Sequence, residues 1–141
     1  MRNRIFAATV IRLLAPMLLA AQQPSGPDPI METLFPPELV MTHQNALGLD
    51  DAQKNDMRGE VLKAQARFTE LQWQLQDAME SLGALLKKNP ADERQVLAQL
   101  DKVLAAEREM KRTQIGLLLR IRNRLTPDQQ ARLQKLRSES K

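Results

Sequence analysis

Between residues 61 and 85 the apolar residues fall at alternating steps of three and four: Val61, Ala64, Phe68, Leu71, Leu75, Ala78, Leu82 and Leu85. That spacing gathers side chains on one side of an α-helix. Held for more than three heptads, it describes a coiled-coil-like seam. A second stripe reads Val96, Leu100, Val103, Glu107, Met110, Gln114, Leu117, Ile121. Asn89-Pro90 stands between the two as a stop and restart, since Asn89 can cap and Pro90 suits a first helical position. Two long antiparallel helices follow, over about 50–88 and 90–123. Glu107 and Gln114 interrupt the second stripe. Either it drifts onto Leu104, Ile115 and Leu118, or the two polar residues set register against the partner helix.

Each end of the hairpin carries a helix-start signal. Leu125-Thr126-Pro127-Asp128-Gln129 has capping-box spacing: the Thr oxygen can accept from a free backbone N–H of the first turn while the Gln side chain reaches back to the cap. Pro127 loses nothing at a first helical position, where its missing donor would be unpaired anyway. Leu49-Asp50-Asp51-Ala52-Gln53 repeats the pattern with Asp50 in the Thr position. Pro36-Pro37-Glu38 can open a short helix through about Ala46, with Leu39, Val40 and Leu47 as its apolar material and Gly48 as its stop. Thr126 begins a final short helix bearing Leu133 and Leu136, and the tail from Ser138 should fray. No stretch alternates with period two, Tyr is absent and aromatics are few, so the expected fold is all-α.

The two Leu-(Thr/Asp)-x-x-Gln elements, Leu49, Asp50, Gln53 and Leu125, Thr126, Gln129, set at the ends of a charged helical hairpin, resemble the Spy/CpxP-type periplasmic proteins and their relatives, the periplasmic heavy-metal sensors and resistance proteins. The likeness covers roughly residues 36 to 138; the second element fits the Leu-Thr-x-x-Gln pattern fully and the first departs from it at Asp50. It implies a homodimer in which two hairpins form a thin curved cradle, an ATP-independent chaperone or stress-adaptor function, and a fold-determining role for the six motif residues. Implied partners are unfolded or acidic polypeptide clients or a membrane sensor protein. The sensor branch of the family implies the alternative, a divalent transition metal.

The N-terminal segment has the form of a secretory signal over residues 1–21. Arg2 and Arg4 precede an apolar run from Ile5 to Ala21, and Ala20-Ala21 offers small residues for cleavage. Arg12 and Pro16 break the run, which is too short for a confident span of about 20 apolar residues; if retained, it would be an inner-membrane anchor. Residues 22–35 read as a flexible linker, 36–138 as the helical domain and 139–141 as a frayed tail. With no cysteine in the chain, a disulfide framework, a thiolate metal site and a cysteine nucleophile are excluded. Export to the periplasm is the expected localisation.

The net charge of +4 misleads, because three of the 21 basic residues (Arg2, Arg4, Arg12) belong to the N-terminal segment. The remainder is polarised lengthwise: residues 108–141 hold ten basic residues against Glu109, Asp128 and Glu139. Of these, Arg108, Lys111, Arg112, Arg120, Arg122 and Arg124, with Leu118 beside them, are the polypeptide-binding candidates, cations steering encounter and Leu contacts setting residence. The competing reading is structural: cations favour a helix C-terminus and can pair with acids of the facing helix. No aromatic stacking platform accompanies the arginines, and an exported protein rarely meets nucleic acid, so none is expected as a partner.

Catalysis has little to work with. His43 is the only histidine, and the four serines fall in the linker, mid-helix or the tail, with neither a Gly-x-Ser-x-Gly turn nor a Gly-rich phosphate loop. The acid pairs Asp50/Asp51 and Asp92/Glu93 stand where they complement helix N-termini. No enzyme and no cofactor are expected. His43 is the one metal candidate, a weak one, because the residues three and four positions away (Leu39, Val40, Ala46, Leu47) offer no ligand. Trp73, Leu86, Leu97 and Leu118 lie off the seam and need another surface, a second reason to expect a homodimer.

Overall fold

The computed structural model describes residues 29–139. The expected signal segment 1–21, most of the expected linker and residues 140–141 lie outside them. Among the described residues all regular structure is helical, in the order α1 (Pro29–Thr33), α2 (Pro37–Thr42), α3 (Gln44–Leu47), α4 (Asp51–Leu86), α5 (Glu93–Arg124) and α6 (Pro127–Glu139). No described helix is long and apolar enough to cross a membrane. The long helices α4 and α5 pack against each other as an antiparallel hairpin, and α3 meets α6 at its open end. At 1.5 Å per residue α4 is about 54 Å long.

The local chemistry sets the boundaries. Gly48 closes α3 in the left-handed region at φ 62°, a conformation that strains any residue with a Cβ. Asp50 caps α4. Helix α5 starts at Glu93, later than the Pro90 expected from the sequence, because Asp92 is the residue that caps it: its carboxylate accepts from the Gln95 backbone N–H at 3.1 Å. Residues 87–92 form the turn. The single helix expected from Pro36 to Ala46 is broken at His43, giving α2 and α3. Helix α6 holds to Glu139, past the predicted fraying point at Ser138.

Along the seam, α4 buries Met57, Ala64, Leu71 and Ala78 at intervals of seven, and α5 buries Gln99, Val103, Ala106, Leu118 and Ile121. Glu107 and Gln114 are exposed. The second stripe therefore drifts as one expected alternative allowed, although onto Gln99 and Ala106 rather than Leu104, which is 45% exposed. Three alanines let the helices approach closely. The buried Gln99 is satisfied by donating its amide to the Ala78 carbonyl at 3.0 Å across the seam.

The hairpin differs along its length. At the open end Phe35, Val40, Leu47, Leu49, Met57, Ile121, Leu125 and Leu133 form one core, supported by Leu39, Val61, Leu117 and Leu136. Towards the turn only two helices are present, and Leu75, Leu82, Leu85, Val96 and Leu100 stay half-buried. Residues 29–35, assigned to a flexible linker from composition, are instead a helical turn followed by the buried pair Leu34 and Phe35. The Pro- and Gln-rich residues just before them concealed a two-residue apolar anchor.

Candidate functional site

The two Leu-(Thr/Asp)-x-x-Gln elements meet at the open end. Each forms its own capping box. The Gln53 backbone N–H donates to Asp50 Oδ1 at 2.7 Å and the Asp50 N–H donates to Gln53 Oε1 at 3.2 Å; the Gln129 N–H donates to Thr126 Oγ1 at 3.2 Å and the Thr126 N–H to Gln129 Oε1 at 2.9 Å. The glutamines then bond to each other. Gln53 Nε2 donates to Gln129 Oε1 at 2.8 Å, and Gln129 Nε2 returns the bond to Gln53 Oε1 at 3.2 Å. Their remaining donors take the carbonyls of Arg124 (2.8 Å, from Gln53) and Leu47 (3.2 Å, from Gln129). A primary amide has two donors and two acceptor positions, and here both amides use all four. Leu49 and Leu125, the first residues of the two elements, are both buried in the core beneath.

This pairing was not legible in either motif alone. The only hint was that both place Gln at the same offset from Leu. Thr126→Ala removes one acceptor and leaves the paired amides in place, so a loss of about 0.5–2 kcal/mol in urea unfolding is expected; an unaltered midpoint would show that the Thr126 bond contributes nothing.

The basic residues divide into three groups. Arg120 and Arg124 tie α5 to α4, through Glu60 at 2.5 Å and Asp56 at 2.7 Å, and Arg112 pairs with Glu109 of its own helix at 3.4 Å. Arg108, Lys111 and Arg122 make no ion pair among the described residues, and only Arg108 and Lys111 are exposed. Leu118 is 5% exposed, so it is a seam residue and not the surface contact expected of it. Farther on, Arg132 donates to the Ala46 carbonyl at 2.9 Å, and Arg137 donates to the carbonyls of Met31 (3.3 Å), Glu32 (2.8 Å) and Leu34 while lying 4.9 Å over the Phe35 ring. Cations of α6 thus satisfy carbonyls at the ends of α1 and α3, a use of charge that no sequence spacing announces.

Glu60 also lies 3.4 Å from Lys63. Partial desolvation pushes its carboxyl pKa up, but hydrogen bonds from Lys63 and Arg120, and their charges, outweigh this and hold it below the ordinary value. A depressed folded-state pKa contributes stability above the unfolded value that is lost as pH falls through the folded value. The wild type should therefore exceed Glu60→Gln in urea resistance at neutral pH, and the gap should close as pH falls below the ordinary carboxylate range and through the lowered Glu60 value. A gap that stays constant with pH would rule the ion pair out as its source.

The hairpin has two unlike flanks. One is charged, with grooves lined by Glu60, Lys63, Arg67, Glu109, Arg112 and Arg120 near the middle and by Gln74, Asp77, Ser81, Lys102 and Glu109 nearer the turn. The other is apolar. Its half near the open end is covered by the N-terminal residues: Met31, Pro36, Pro37 and Glu38 share a cleft of ≈ 270 Å³ with Val61, Gln65, Phe68, Gln114, Leu117 and Leu118. On the far side of Pro37 and Glu38, Met41, Met57, Val61, Leu62 and Ile121 line a second cleft of ≈ 430 Å³ with Arg58 and Gln65 among them. The same flank continues towards the turn uncovered. Positions 61, 68, 75 and 82 repeat at seven residues, as do 65, 72, 79 and 86, so Leu75, Met79, Leu82 and Leu86 lie on the side that carries Phe68. Met79 is 52%, Leu86 57% and Leu97 51% exposed.

His43 is half-buried at the break between α2 and α3. Among the described residues no group of three or more His, Cys, Asp or Glu side chains could hold a metal ion.

An all-α hairpin closed by two interlocked Leu-(Thr/Asp)-x-x-Gln capping boxes belongs to the Spy/CpxP-like helical fold group. Within that group, the chain is a member of the heavy-metal resistance family, whose model matches residues 5–135. Proteins of this family are typically periplasmic. No curated protein and no solved structure matches the chain.

Proposed function

We propose that this protein is an exported, ATP-independent holding chaperone or stress-adaptor that binds non-native or regulatory polypeptide on the apolar flank of its hairpin. The carrying observation is that Met79, Leu86, Leu97 and Leu104 are all exposed in the part of the hairpin towards the turn, on a helix pair of which one flank is charged. Clustered exposed apolar side chains mark interaction surfaces. Arg108 and Lys111 follow Leu104 by one and two turns and give encounter with acidic segments an electrostatic bias. Nothing is chemically transformed. Residues 1–21 would direct export to the periplasm and be removed. Pairing of two copies would use the outward side of α4, where Leu62 and Trp73, eleven residues apart, are 65% and 63% exposed.

The family match favours a second reading, a periplasmic heavy-metal sensor or metal-resistance protein of the same fold, with a metal held between subunits or by His43 and donors of another chain. One experiment separates the two. Suppression of aggregation of an unfolded test protein is measured at near-stoichiometric ratio with and without zinc, copper, nickel and cobalt, alongside direct titration with each metal. Metal-independent suppression is expected. Tight stoichiometric metal binding that is lost in His43→Ala, with no suppression, would favour the sensor.

A further inference from the structure

The N-terminal residues reveal what the apolar flank accepts. Residues 29–42 lie on it near the open end, placing Phe35 and Val40 in the core and Met31 and Pro37 in the clefts beside Val61. They are held from the other side by Arg137, whose guanidinium binds the carbonyls of Met31, Glu32 and Leu34 and covers the Phe35 ring. This segment carries large apolar residues at close spacing, the acids Glu32 and Glu38, and no basic residue. The flank it occupies runs on without a break in register from Val61 and Phe68 to Leu75, Leu82 and Leu86, where nothing in the chain's described residues covers it.

We infer that the flank from Val61 to Leu86 is one continuous polypeptide-docking surface. Its near half is filled in cis by residues 29–42, and its far half takes, in trans, a partner segment of the same chemistry: closely spaced large apolar side chains with acidic and no basic residues. The inference rests on the chaperone or adaptor reading and names its ligand class. Continuity with an occupied apolar interface argues for an apolar chain segment. Charge argues for an acidic one, because Arg108 and Lys111 border the far half without ion-pair partners among the described residues; of the two acids between Leu104 and Lys111, Glu109 lines the charged flank and pairs with Arg112, which leaves Glu107 alone against them. A short segment of this kind binds by inserting apolar side chains into a groove between helices.

The probe is a fluorescein-labelled synthetic peptide with the sequence of residues 29–42, titrated into the purified full chain. Saturable binding is expected. It should weaken at least fivefold in the double variant Met79→Gln/Leu86→Gln, whose exposed positions leave the helical circular dichroism unchanged. A peptide carrying Leu34→Ser and Phe35→Ser should not bind, and one carrying Glu32→Lys and Glu38→Lys should bind more weakly. Binding that is indifferent to Met79→Gln/Leu86→Gln would overturn the inference. So would a wild-type dimer that this variant dissociates, which would make the far half a self-interface. Capture of anionic lipid vesicles in place of the peptide would overturn it too. Aggregation suppression that persists in the double variant would remove this inference and leave the chaperone reading standing. Peptide binding without any suppression of aggregation would do the reverse.

Discussion

Ile121→Ala should destabilise the protein by about 3 kcal/mol, within the range of roughly 2–5 kcal/mol for emptying a buried aliphatic site. Ile121 is fully buried and belongs to the core that also holds Met57, Val40, Leu125 and Leu133, so the lost methyl groups leave a void bordered by four helices. A small domain has only about 5–15 kcal/mol in total. Here nearly all of the enclosed core lies at the open end, and no other part of the hairpin can absorb the loss. Urea unfolding and amide exchange should show the change first in α2, α3 and α6. Leu97→Ala is the control: at 51% exposure it should shift stability by no more than about 0.5 kcal/mol. If the two substitutions cost the same, stability is spread evenly along the hairpin and the account of a single-ended core is wrong.

The second large effect is at Gln129. Its amide accepts from Thr126 and Gln53 and donates to Leu47 and Gln53, so Gln129→Ala removes four hydrogen bonds in a partly buried place and strands the Leu47 carbonyl and part of the Gln53 amide. With about 1 kcal/mol for each bond and more for polar groups left unpaired, a loss of about 2–4 kcal/mol is expected, larger than for Thr126→Ala. Gln129→Glu should cost about as much, because a carboxylate keeps the acceptors, lacks both donors and faces the Leu47 carbonyl. The decisive measurement is a double-mutant cycle with Gln53→Ala. A coupling above about 1 kcal/mol fits paired amides; strict additivity would mean that the two boxes act only as separate helix caps.

Several readings of the chain survived contact with its tertiary structure because they rest on short-range physics. Helix identity in α4 and α5 follows from a repeat that only a helix can gather on one side, and the boundaries at Asp50 and Thr126 follow from side chains that bond within their own turn. The boundary at Pro90 failed for an equally local reason: two residues could start that helix, and the one with a capping carboxylate, Asp92, did so. Leu118 was misjudged because the heptad register of α5 slips by the time it reaches the open end, which carries Leu118 from the flank into the seam. Residues 29–35 are ordered despite the linker-like composition before them, because Phe35 needs only one core to enter and one cation, Arg137, to cover it.

Periodicity, capping and proline placement act within a few residues, so a helical hairpin with a cap at each end is already written in the order of the amino acids. That the two caps share one pair of glutamines, that the C-terminal cations serve the ends of the N-terminal helices, and that one flank is half covered and half bare follow from the packing of the folded chain. The first two outcomes depend on contacts between residues more than seventy positions apart, such as Gln53 with Gln129. No local pattern encodes such a distance, because it is set by how two long helices align when their seam excludes water.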